Sequence, residues 1–153
     1  MADIAAPMES GVARATAPIY LTLFPIPIVC FVAAMATDFA YSRGAALMWL
    51  NFSEWLIAAG LAFGALAALA LLVEFIARPA LRRGRKGWTH TALFYGALVV
   101  ELFNALVHTS DGWTAVVPAG ITLSIIGAVL GFAAAVILFR MPLAWVVRRE
   151  PRP

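Results

Sequence analysis

Four polar side chains, His90, Glu101, Asn104 and His108, lie along one mostly apolar stretch at spacings that return to a single helix face, together with Phe94 and Ala97. A carboxyl group carried into hydrocarbon is expensive, and by default it marks a proton path, a ligand contact or a buried pair. Glu101, Asn104 and His108 are therefore the candidate intramembrane polar site. The structural alternative is a protonated Glu101 hydrogen-bonded to Asn104 or to a neighbouring helix.

The two imidazoles, His90 and His108, are candidate cofactor ligands, with haem b as the group they would hold. On one helix they stand about 27 Å apart, so they cannot ligate the same iron. A haem near His90 would need a second ligand such as Met141, and one near His108 could use Met35. Cys30 is the only cysteine and has no disulfide partner within the chain. The sequence contains no thioether attachment motif, Walker loop, dinucleotide fingerprint or zinc spacing. Hydrolase and nucleotide chemistry are thus unsupported, no metal site is expected, and the chain reads more as a non-enzymatic protein than as an enzyme.

What must position these residues follows from composition. Of 153 residues, 63% are hydrophobic and 12% charged, and the mean hydropathy is +0.92. A soluble domain is about 45–50% apolar and about 25% charged, so an aqueous enzyme, a disordered tail and a disulfide scaffold are all excluded. The expected fold is all-α: an integral membrane four-helix bundle. About 20 apolar residues are needed per crossing, so four helices nearly exhaust the length.

Pro18 to Thr37, Trp55 to Val73 and Val116 to Phe139 carry no charge. Trp88 to Val107 carries His90 and Glu101, yet nine Leu, Val and Phe residues at about −0.3 to −0.6 kcal/mol each outweigh a mid-span charge of about +2.5 to +3.5 kcal/mol. This third span inserts with its polar face toward the bundle interior. The predicted organisation is a tail over 1–17, a transmembrane domain over 18–139 with spans about 18–39, 53–77, 88–108 and 115–139, and a basic tail over 140–153.

The net charge of +3 rests on ten arginines and one lysine against eight acids. In a membrane protein basic residues set topology before they bind nucleic acid, and no nucleic-acid partner is expected. Arg14, Arg78, Arg82, Arg83, Arg85, Lys86, Arg140, Arg148, Arg149 and Arg152 all fall on one side of the predicted spans and only Arg43 on the other, which predicts cytoplasmic N- and C-termini. The run Leu21 to Ala34 followed by Ala34-Met35-Ala36 has the shape of a cleavable signal, but Asp3 and Glu9 offset the single Arg14 ahead of it, so it reads as a retained span.

Finer features follow. Pro25 and Pro27 each remove an amide donor, which predicts a kink or a non-helical start in the first span. Gly60 and Gly64, and Gly127 and Gly131 with Ser124 and Ala135, form small-residue steps that let helix backbones approach. Asp38, Arg43, Glu54 and Asp111 read as an outer polar rim, with Asp38 and Arg43 as an interfacial ion pair and Glu54 capping the second span behind Asn51 and Ser53. Glu74 and Arg78 are four apart and read as a helix-end salt bridge.

The segment Leu23-Phe24-Pro25-Ile26 leading to Asp38, then Trp55 and Gly60, Trp88-Thr89-His90, Asn104 and the Gly-rich last span resemble the bacterial membrane family catalogued as domain of unknown function 2231, over roughly Pro18 to Phe139. The resemblance implies an architecture and not a reaction. The resemblance implies that members typically carry a His before the Phe-Pro pair where this chain has Leu23; if that His and the one matching His90 form a metal or haem site in relatives, this chain has lost half of it. The resulting expectation is a multi-pass protein of the bacterial inner membrane that anchors or stabilises a membrane or periplasmic protein partner, in a redox complex or as a homo-oligomer, with the lipid bilayer as its solvent. The alternatives are a haem- or quinone-binding electron-transfer protein using His90 or His108, and a small proton-linked carrier using Glu101.

Overall fold

The computed structural model describes residues 15–16, 19–109, 116–141 and 148–149. Four spans cross the molecule: Ile19–Gly44, Leu47–Ala77, Arg85–Thr109 and Val116–Phe139, of 26, 31, 25 and 24 residues. At 1.5 Å per residue the shortest rises about 36 Å, enough for a hydrocarbon core of about 30 Å. A membrane-spanning four-helix architecture follows directly.

The first span has two parts, α1 (Ile19–Leu23) and α2 (Pro25–Gly44). Pro25 and Pro27 have no amide hydrogen to give the carbonyls of Leu21 and Leu23, so the ladder is interrupted there. The backbone does not unravel, however: Phe24 keeps helical dihedrals and its amide donates to the Tyr20 carbonyl at 2.8 Å. The start of the span is thus helical, and the prolines are accommodated at the first turn of α2, where missing donors are tolerated.

The second span, α3, runs Leu47–Ala77 and ends where Arg78 is held extended ahead of Pro79, whose ring disfavours helical backbone in the residue before it. A short helix α4 (Pro79–Arg83) then turns the chain into α5 (Arg85–Thr109). Gly87 is required at this turn, because a Cβ there would collide with the Leu81 carbonyl. The last span enters through a wide turn, Val116–Gly120, with Val117 extended, and continues as α6 (Ile121–Phe139).

Around the bundle α2 packs on α3 and α6, and α5 packs on α6 and α3, giving an up-down-up-down ring. At one end two-residue strands β1 (Ala15–Thr16) and β2 (Arg148–Arg149) pair antiparallel, so the segments flanking the bundle meet on the side of the α3–α5 connection. This is the arginine-rich end.

The small-residue steps are used within the chain. Gly60 faces the Phe31 ring, Gly64 faces Leu98 and Pro27, and Gly131 faces Ile28. Phe31 is fully buried as a result. Near the arginine-rich end Tyr20, Phe24, Ala67, Ala68, Leu71, Phe94 and Ala134 form the larger core cluster, in which the rings of Phe24 and Phe94 meet edge-on at 5.1 Å. The outward surface carries large apolar groups such as Trp55 and Phe139, as a lipid-solvated bundle should.

Candidate functional site

The polar face of α5 points inward along its whole length: His90, Glu101, Asn104 and His108 are each at most 2% exposed. Three helices contribute to the group around Glu101. From α5, Asn104 Nδ2 donates to Glu101 Oε2 at 3.0 Å and to Ser124 Oγ of α6 at 2.8 Å. With its oxygen thus engaged as an acceptor, the Ser124 hydroxyl donates to Asp38 Oδ2 of α2 in a short contact. Asp38 Oδ1 in turn lies 3.0 Å from His108 Nε2. A continuous chain therefore links Glu101, Asn104, Ser124, Asp38 and His108.

The chemistry of the His108 end follows from its other nitrogen. Nδ1 lies 3.0 Å from the Asn104 carbonyl, which can only accept, so Nδ1 carries hydrogen. Nε2 is then the exchangeable position. Nε2 faces Asp38 Oδ1, and a hydrogen bond between them requires a hydrogen on one of the two atoms. At the other end Glu101 Oε1 and Asn104 Oδ1 are buried without hydrogen-bond partners, so the chain ends on open acceptor positions. Close approach makes this geometry: Gly127 of α6 lies directly against the Glu101 carboxyl, where any Cβ would intrude. Beside it, Thr37 and Ser53 join α2 to α3 through a 2.7 Å hydroxyl contact.

His90 belongs to a second, separate group. Its Nδ1 donates to the Ala134 carbonyl at 2.8 Å, which fixes the tautomer and leaves Nε2 to accept from the Tyr20 hydroxyl at 2.5 Å. Between His90 and Glu101 the helix rises about 16 Å. Phe94 and Ala97, both fully buried, fill that gap. Removing the Tyr20 hydroxyl (Tyr20→Phe) is expected to destabilise the bundle by about 0.6–1.7 kcal/mol, the range for interhelical hydrogen bonds in membranes, as read from denaturation in detergent. An unchanged stability would mean that the two groups do not bond.

Several sequence expectations change position. Asp38 does not pair with Arg43: it is fully buried and is the hub of the chain, because α2 continues to Gly44 and carries Asp38 about 9 Å inside the helix end. Glu54 does not cap a helix, since α3 begins at Leu47, about two turns earlier, with Ala46 at its N-cap; Glu54 instead lies within electrostatic reach of His108. Arg43 sits exposed in the last turn of α2, and Asp111 lies outside the described residues. Glu74 and Arg78 form the ion pair anticipated for them, at 2.5 Å.

Haem ligation meets a different situation. Met141 lines the same cavity as His90, but both His90 nitrogens and both His108 nitrogens are engaged in hydrogen bonds. The cavity beside His90 measures about 30 Å³, far smaller than a porphyrin. The residues as arranged do not fit the group. Among the described residues no set of three His, Cys, Asp or Glu side chains is placed to hold a metal ion. Cys30 is a half-buried free thiol.

Two participants were not legible as such. Ser124 read as part of a small-residue step, although a hydroxyl one turn before Gly127 in an otherwise apolar span was the available signal. Tyr20 stood ahead of the prolines with nothing in the sequence to direct it at His90.

A family model described as a predicted membrane protein, DUF2231, matches residues 16–145. The chain belongs to this family. No curated protein and no solved structure matches it. The match takes in all four spans of this DUF2231 protein, including every residue of both polar groups. It is a multi-pass membrane protein with two separate polar groups buried inside its bundle.

Proposed function

We propose that this DUF2231 protein exchanges protons with its buried Glu101–Asp38–His108 chain and couples that exchange to transport, as a small proton-linked carrier of the bacterial inner membrane with its arginine-rich end in the cytoplasm. The observation that carries this reading is the buried hydrogen-bonded network that gathers three titratable side chains from two helices, with Asn104 and with Ser124 of a third helix between them, each at most 1% exposed. Such groups are expensive inside a membrane, where a single interhelical salt bridge or an apolar contact would hold the helices as well. Their arrangement supports proton storage: a hydrogen between Asp38 Oδ1 and His108 Nε2 is one site, and Glu101 with its open oxygen is a second. Topology is supported by the positive-inside rule, since the α3–α5 connection carries Arg82, Arg83, Arg85 and Lys86.

The test is a pH jump across proteoliposomes containing a trapped pH-sensitive dye, combined with infrared difference spectra. Wild type is expected to dissipate the gradient faster than empty vesicles and to lose a protonated-carboxyl band on alkalinisation. Glu101→Gln should bring the rate down to the empty-vesicle level and abolish the band. If the variant and wild type dissipate equally and no carboxyl band moves, the network is a scaffold, and the role of a non-enzymatic subunit anchoring a partner takes its place.

A further inference from the structure

At the arginine-rich end a cavity of about 30 Å³ opens between α1, α3, α5 and α6, lined by Tyr20, Glu74, Arg78, His90, Thr91 and Met141 among others. Its size decides what it can take. A water needs about 10–15 Å³ measured this way, so roughly two waters fit, and a quinone ring or any larger organic molecule does not. The walls are mostly apolar, but the polar groups they carry are of the kind that hold water. Thr91 Oγ1 is buried with no hydrogen-bond partner, which is unusual for a hydroxyl that has its own helix carbonyls within reach. Glu74 lies beside it as one half of an ion pair with Arg78, and both members are only part-exposed at 18% and 14%. The Tyr20 hydroxyl and His90 complete the set.

We infer that this cavity is a water-binding vestibule that admits hydronium from the arginine-rich side as far as His90, and that it stops there. A proton arriving on the Tyr20 oxygen releases that residue's own hydrogen to His90 Nε2. The imidazole becomes imidazolium and Tyr20 is regenerated, so one proton has moved and nothing else is consumed. The inner boundary is the apolar block of Phe24, Phe94 and Ala97, each at most 3% exposed, which separates His90 from Glu101. The vestibule is independent of the proton exchange proposed above, because this apolar block keeps a proton on His90 from reaching Glu101.

Access is tested with Ag⁺, a thiol-reactive cation no larger than water, on the full chain in lipid nanodiscs after Cys30→Ser removes the native thiol. Thr91→Cys, nearly isosteric, is expected to be silvered and so to resist later maleimide labelling in denaturant, while Phe94→Cys and Ala97→Cys remain free to label. Two inner positions are used so that a misfolded variant at one leaves the other to decide. A Thr91→Cys thiol that Ag⁺ does not reach overturns the proposal, and so does silvering of both inner positions. Because this readout involves no proton flux, an inert Glu101→Gln variant would remove the carrier reading while leaving the vestibule standing. The converse pattern would remove the vestibule and leave the carrier reading untouched.

Discussion

Asp38→Ala is expected to destabilise the protein by about 3–5 kcal/mol, the range for breaking a buried pair by removing one partner. Two donors lose their acceptor at once: His108 Nε2 at 3.0 Å and the Ser124 hydroxyl. In hydrocarbon neither has water to turn to. Removing both partners should do less harm than the sum of the single losses, since Asp38→Ala with His108→Ala leaves no stranded charge. Asp38→Asn keeps the shape and should fall between wild type and alanine. Chemical denaturation in detergent measures all four, with Arg43→Ala as the exposed comparison. An Asp38→Ala loss no greater than that of Arg43→Ala would show that Asp38 lies at a wet surface, and the chain drawn through it would be wrong.

The second large effect concerns how closely α5 and α6 approach. Gly127→Ala would place a methyl group on the Glu101 carboxyl, meeting its Cγ, Cδ and Oε1 together, so more than the tip of the side chain must move. Glu101 is fully buried and its Oε2 is held by Asn104. Overpacking of this kind costs about 1–3 kcal/mol. The cost should vanish when Glu101→Ala makes room, so the double variant is expected to be more stable than the two single changes predict. If Gly127→Ala is tolerated with Glu101 intact, the helices stand further apart than described, and Asn104 no longer bridges them.

Much of the architecture was legible along the chain, because insertion is close to additive in sequence: each residue adds its own transfer free energy, and twenty apolar ones suffice whatever their neighbours do. The inward face of α5 was legible for a related reason. His90, Glu101, Asn104 and His108 are too polar for lipid, and their spacing leaves one side on which to hide them. The Glu74–Arg78 pair needed only the geometry of a single helix.

Which polar groups meet was decided by the tertiary structure alone. The α2, α3 and α6 spans are apolar nearly all round, so their sequences do not say which way they turn, and lipid exerts no force that would favour one rotation over another. Asp38 read as a rim residue because nothing in the sequence stops the first helix at Phe39 or continues it to Gly44. Packing continues it, through Tyr41 buried against Leu50 and Val116. Likewise Ser124 became a donor only because Gly127 lets α6 approach α5 closely enough for Asn104 to reach across. The sequence determined that a carboxyl group, an amide and an imidazole must be buried in one membrane-spanning helix; the close packing of α2, α5 and α6 determined that they share a hydrogen-bonded network with an aspartate from a different one.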